Sequence, residues 1–311
     1  MATSSLLFNN RKELKALALT LLLSSGTFYS QAQSKALFQS VELTSVNSFT
    51  RGAEGPAVDS KGTVYAVNYG KEGTIGQVTI DGKAGLFIEL PAGSVGNGIR
   101  FDSKGNMLVA DYTRHNVLKV DMRSKQISVF AHNPEMSQPN DIAIDSKDRL
   151  YASDPNWKEG TGRIWRIDLD GKSTLLETMG TANGIEVSPD NKHLYVNESI
   201  QRKVWKYDLN VKGEISNKRL IHEFPDFGMD GMRCDAEGNL YITRHGKGAV
   251  AILSPEGKLL REIPTIGKLP SNIAFGGKDG RTVYITLQDR GNMESFRVEN
   301  SGREWKMSKG K

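Results

Sequence analysis

Glu54 to Asn68 reads EGPAVDSKGTVYAVN, and 43 residues further on Asn97 to Asp111 reads NGIRFDSKGNMLVAD. In both, a short apolar run enters Asp-Ser-Lys-Gly and leaves as a second apolar run, the pattern of two strands joined by a tight turn. It returns as NDIAIDSKDRLYASD from Asn140, NGIEVSPDNKHLYVNE from Asn183, DGMRCDAEGNLYITR from Asp230 and NIAFGGKDGRTVYIT from Asn272, at intervals of 43, 43, 47 and 42 residues. Between copies lie two further strand-like stretches, such as Arg163 to Leu169 and Ser173 to Glu177, parted by Asp170-Gly171. Six copies of a four-stranded unit predict an all-β, six-bladed β-propeller, whose radial repetition leaves only short sheet edges.

Val41 to Val46 precedes the first copy and has no blade of its own. It is expected to become the outermost strand of the last blade, whose inner three strands are Ile273 to Phe275, Thr282 to Thr286 and Glu294 to Val298. A solenoid would need polar capping repeats, and none is visible.

Residues 1–32 differ in character. Arg11, Lys12 and Lys15 precede the apolar run Ala16 to Leu23, and Ser30-Gln31-Ala32 offers a small-x-small cleavage site. The run is too short to span a bilayer, so it reads as a signal peptide of a periplasmic or secreted protein. The propeller then occupies residues 33–300, and 301–311 is a basic C-terminal tail expected to be solvated. Loss of the leader lowers the formal charge from +5 to +3, and Lys and Arg are dispersed, so neither nucleic acid nor, after cleavage, a membrane is an expected partner. A monomer acting on a small molecule is expected. Cys234 is the sole cysteine, which excludes an intramolecular disulfide and a thiolate metal site.

In a propeller the innermost strand of each blade starts beside the central channel. The residues opening the copies, Glu54, Asn97, Asn140, Asn183, Asp230 and Asn272, should therefore ring one mouth of it. All are oxygen donors. Asn and Asp also favour turns, but two carboxylates and four amides sharing a channel call for water or a cation between them. Oxygen ligands suit a hard divalent ion, calcium first, with zinc, manganese or magnesium as alternatives. The second strands return to this mouth at Asn68, Asp111, Asp154, Asn197-Glu198, Arg244-His245 and Gln288-Asp289. Asn97, Asp141, Asp154, His245 and Asn272 are accordingly expected to support the ligands or to meet substrate.

The chain resembles the senescence marker protein, gluconolactonase and luciferin-regenerating-enzyme family of six-bladed propellers over residues 41 to 298. The resemblance is carried by Glu54-Gly55-Pro56, Pro139-Asn140-Asp141, Asn183-Gly184 with Ser188-Pro189-Asp190, and Asp230-Gly231-Met232 before Asp235-Ala236-Glu237-Gly238. It implies that Glu54, Asn140, Asn183 and Asp230 bind one divalent ion. It also implies that Asp230 moves a proton in hydrolysis of a small lactone or ester. Gln138-Pro139 stands where sugar-lactone members often carry arginine, and Met229 where they carry proline, so a sugar lactone is not implied. Two alternatives stand beside the hydrolase. One is a non-catalytic exported propeller that binds a protein or small ligand around a structural metal, and the other is a strictosidine-synthase-like condensing enzyme needing no full metal shell.

Overall fold

The computed structural model describes residues 36–309, and the leader expected over residues 1–32 lies outside them. The described residues form six four-stranded antiparallel sheets. Their innermost strands are Phe49–Val58, Gly96–Phe101, Ile142–Ile144, Ala182–Val187, Met232–Cys234 and Pro270–Gly276, which open blades 1 to 6. Each packs on the innermost strand of the next blade, and Pro270–Gly276 packs on Phe49–Val58, so the ring closes as a six-bladed propeller. In the sixth sheet the outermost position is held by Val41–Glu42, with Val41 opposite Ser295 on Asn292–Arg297.

The turns explain why the repeated tetrapeptide makes a hairpin. Asp59 accepts hydrogen bonds on Oδ1 from the backbone N–H of Lys61 at 2.9 Å and of Thr63 at 2.8 Å. Asp102, Asp145 and Asp235 do the same for their own turns. A short acidic side chain thus satisfies donors that the turn would leave bare. Gly62 closes its turn at φ +90°, a backbone region in which a side chain is strained.

The apolar core lies between blades rather than at the hub. Tyr65, Ile75 and Phe87 of blade 1 pack against Ile99, Met107, Val109 and Leu118 of blade 2. Comparable clusters join the later blades. Each fully buried side chain of this size contributes about 1.5–3 kcal/mol. Cys234 is part of this core: its thiol donates to the Val187 carbonyl at 3.5 Å, and burial raises its pKa, which keeps it inert.

The tail departs from the solvated end expected of it. Arg303–Lys309 is a helix, and Arg303 is only 2% exposed. Its guanidinium donates to the carbonyls of Ser188 at 3.2 Å and Ile144 at 2.9 Å, at the far ends of the blade 4 and blade 3 inner strands. Glu304 Oε1 lies 2.6 Å from Arg100 Nε. Unpaired carbonyls at those strand ends and a buried Arg100 need partners, and a basic tail with one acid provides them. Among the described residues no helix is long and apolar enough to cross a membrane.

Candidate active site

Register decides which residues face the mouth. Pairing sets Ile99 against Val109, Ile142 against Ala152, Met232 against Ile242 and Ile273 against Ile285. Two residues before each inner-strand partner stand Asn97, Asn140, Asp230 and, in blade 6, Ser271. The sixth copy therefore opens on Ser271, and the expectation that Asn272 opens it is corrected by one residue. Asn272 belongs to the next column, filled elsewhere by Gly55, Gly98, Asp141, Gly184 and Gly231. A one-residue slip would reverse every side chain of the strand, so hydrogen bonding and not residue type fixes the alignment.

Backbone bonds stitch the openings together. Gly98 N–H donates to Asn140 O at 2.9 Å, Gly184 N–H to Asp230 O at 3.0 Å and Gly231 N–H to Ser271 O at 2.6 Å. Ser271 Oγ donates to Ala53 O at 2.7 Å, carrying the girdle from blade 6 to blade 1. Glycine is required where the next blade's side chain leans over. A Cβ on Gly231 would lie 2.0 Å from the Asn272 amide carbon, and one on Gly98 2.7 Å from Asp141 Oδ1.

Glu54, Asn97, Asn140, Asn183, Asp230 and His245 line one cavity of about 380 Å³ at this mouth. Asp141, Asp154 and Asn272 do not line it. The Oδ1 atoms of Asn97, Asn140 and Asn183 are buried without a hydrogen-bond partner, a state that costs about 1–3 kcal/mol per group. Glu54 is 5% exposed. Burial, then the charges of Asp230 and Asp141, push its carboxyl well above the ordinary carboxylate range, against the Gly55 N–H that donates to it. Lost hydration, with the nearby Asp141, pushes Asp230 up to about 7 despite hydrogen bonding to Asn183. Among the described residues no lysine or arginine lines this cavity. Two acids, Glu54 buried and Asp230 half-buried, and three unpartnered amide oxygens therefore converge with no cationic side chain on the lining, a set that a hard cation would satisfy. The set contains too few acids for a site of the thiolate, imidazole and carboxylate kind, and among the described residues no three His, Cys, Asp or Glu side chains form such a cluster.

The remaining candidates act from behind. Asn272 stands beside Glu54, whose charged form it favours, and accepts the Ile273 N–H at 2.9 Å. Asp141 is held between two buried arginines, Arg100 at 3.4 Å and Arg233 at 3.0 Å. Asp154 accepts the N–H groups of Ser137 at 2.7 Å and Gln138 at 2.6 Å, fixing the loop that delivers Asn140, so it supports the mouth and meets no ligand there. Asp111, Glu198 and Asp289 brace the loops before their own inner strands likewise, and Arg244 does so through Asp226. His245 pairs through Nε2 with Gln288 Oε1 at 3.2 Å on the rim.

Sequence reasoning missed two groups. Tyr112, Trp157 and Met229 also line the cavity; the first two sit just beyond second-strand ends, where an aromatic residue among polar ones was the available signal. Arg100, Glu186 and Arg233 share one repeat column, three residues after the opening, whose other members are Ala57, Ala143 and Ala274. Charges amid alanines in a buried column could have marked this network.

The comparisons agree with this architecture. The chain is 30% identical over 129 residues to 6-deoxy-6-sulfogluconolactonase of Pseudomonas putida, covering 40% of this chain and 44% of that one. It is 33% identical over 135 residues to gluconolactonase of Zymomonas mobilis, covering 40% and 37%. The chain thus spans less than half the length of either relative. The fold is that of regucalcin from Agrobacterium tumefaciens, a solved calcium-binding protein, with TM-score 0.73 at 21% identity over 86% of this chain and 95% of that one. A family model, the SMP-30/Gluconolactonase/LRE-like region, matches residues 46–289. On that match, and with the six blades and the oxygen-lined mouth in place, the chain belongs to the SMP-30/gluconolactonase/LRE-like family.

Proposed function

We propose that the channel mouth is the active site of a divalent-cation-dependent hydrolase of a small lactone or ester, calcium being the ion its donors suit best. The observation that carries this reading is the convergence of three unpartnered amide oxygens on two carboxylates, one buried and one half-buried, at one cavity. Glu54, Asn140, Asn183 and Asp230 would hold the ion, with Asn97 at the same wall. When bound, the ion supplies Lewis acidity toward a carbonyl oxygen and toward water.

The side chains do the rest. Asn140 and Asn183 are presented by backbones locked in the girdle, so their amides need no reorganisation on binding. Asp230 has two oxygens, so with one toward the ion the other can take a proton from an attacking water and return it to the leaving alkoxide. Glu54 is kept oriented by the Gly55 N–H, with the Asn272 amide beside it favouring its charged form. The relatives named as lactonases support the reaction class, and a leader-like N-terminus supports action in the periplasm or outside the cell.

Hydrolysis of a panel of lactones and aryl esters is expected with calcium and to vanish with a chelator. A folded, calcium-loaded protein inert across the panel would instead favour a binding propeller. Asn272→Ala is expected to weaken calcium affinity by about 10–100-fold, the usual effect of removing a group that orients a ligand. Isothermal titration measures this, and an unchanged affinity would remove Asn272 from the site.

A further inference from the structure

The cavity is unusual in what its walls omit. Among the described residues no lysine or arginine lines it, although the chain carries 41 of them. Two arginines near this end are already engaged. Arg244 is paired with Asp226 at 2.7 Å and Glu262 at 3.1 Å, and Arg163 with Asp154 at 3.2 Å. The acids on the lining are three, Glu54, Glu72 and Asp230. With one divalent ion bound at the first and last of these, Glu72 still faces the entrance with no cation beside it on the lining. An anionic substrate would meet repulsion from Glu72 there, with no lysine or arginine on the lining to offset it and the bound ion's charge already matched by Glu54 and Asp230.

One wall of the same cavity is apolar. Tyr112, Trp157 and Val95 contribute to it, while Met229 behind the lining is fully buried in the core between blades 4 and 5. Trp157 is 37% exposed, a large ring left uncovered at the rim. Its loop is nevertheless fixed: Asn156 Oδ1 accepts the Glu159 N–H at 3.2 Å, and Gln201 Nε2 donates to the Gly160 carbonyl at 3.0 Å. The Tyr112 hydroxyl lies close to the polar groups of Gln138 and Trp157, and burial raises its pKa. An ordered, partly uncovered aromatic wall is a surface for an apolar group or ring.

Resting on the hydrolase reading above, we propose that the substrate is an uncharged lactone or ester bearing an aryl or alkyl substituent, which packs on Tyr112 and Trp157 while the carbonyl faces the oxygen-donor set. Polyhydroxylated and anionic lactones are poor substrates on this account. The polyol would trade water for an apolar wall, and the anion has no partner.

The test compares three lactones of one ring size, aryl-substituted, polyhydroxylated and carboxylated, as kcat/KM with calcium, for the mature protein and for Trp157→Ala. The aryl compound is expected to lead the others by at least about tenfold, and Trp157→Ala to raise its KM by about tenfold, through lost ring contact. A lead by the polyhydroxylated or the carboxylated lactone overturns the proposal, as does a Trp157→Ala variant with unchanged KM for the aryl compound. Calorimetric binding of the corresponding lactams, which are hydrolysed far more slowly, separates the two readings. An aryl lactam that binds the parent and not Trp157→Ala, in a protein that turns over no lactone, upholds this wall as a binding site and sinks the hydrolase. Absence of lactam binding alongside turnover of polyhydroxylated lactones does the reverse.

Discussion

Asp230→Asn is expected to lower kcat/KM by at least about 10³-fold, since the residue takes part in holding the ion and in moving the proton, and proton transfer alone is worth about 10²–10⁴-fold. The substitution keeps size and removes charge, so the fold should survive. In the chelated protein it should even help. Glu54 is buried and Asp230 half-buried at the same mouth, and each has a pKa raised in the folded state. The folded chain therefore binds those protons more tightly than the unfolded chain. Stability of the metal-free protein is greatest at low pH within this range and is lost as pH rises from about 4, the ordinary carboxylate value, through the Asp230 value of about 7. In Asp230→Asn that loss should shrink, leaving the part due to Glu54. Calcium at about 100 times its Kd should stabilise the parent by about 2.7 kcal/mol and the variant far less. Thermal melts at pH 5 and 8, with and without chelator, check each part; a variant that keeps both its activity and its calcium-dependent melting shift would remove Asp230 from the centre.

The second large effect concerns stability. Arg233→Met is expected to destabilise the protein by about 3–5 kcal/mol, because it takes one partner from a buried ion pair. Arg233 is 2% exposed and donates to Asp141 Oδ2 at 3.0 Å and to its neighbour's carbonyl at 2.7 Å. Asp141 would keep only Arg100, at 3.4 Å. For a chain of this size the melting temperature should fall by about 10 °C. The double variant Arg233→Met with Asp141→Asn removes the stranded charge and should recover a large part of the loss, a coupling that a double-mutant cycle reads directly. Additive losses would mean that the two side chains act independently.

This network connects the ends of the molecule. Arg100 contacts Asp141 and Glu186 and reaches Glu304 of the C-terminal helix, while Arg303 meets Glu186 at 3.4 Å. Asp141 in turn is one of the charges that raise the pKa values of Glu54 and Asp230. The C-terminal helix is thereby tied electrostatically to the channel mouth through the buried charges of the inner strands.

By itself the sequence determined the six-fold repeat, the four-stranded blade and the mouth at which Glu54, Asn97, Asn140, Asn183 and Asp230 assemble. Those features rest on local chemistry: period-two apolar runs, Asp-led turns and a fixed interval, each written within some 40 residues. What only the tertiary structure decided depends on partners far away in the chain. Ser271 replaced Asn272 at the sixth opening because inter-strand hydrogen bonds set register. Asp154 proved to hold a loop because the donors at Ser137 and Gln138 reach it only after the blade folds. Arg303 became a buried plug because carbonyls at Ile144 and Ser188, more than a hundred residues earlier, are brought to it. A repeat pattern records what each blade does for itself; the charges that serve several blades at once are fixed only when the ring closes.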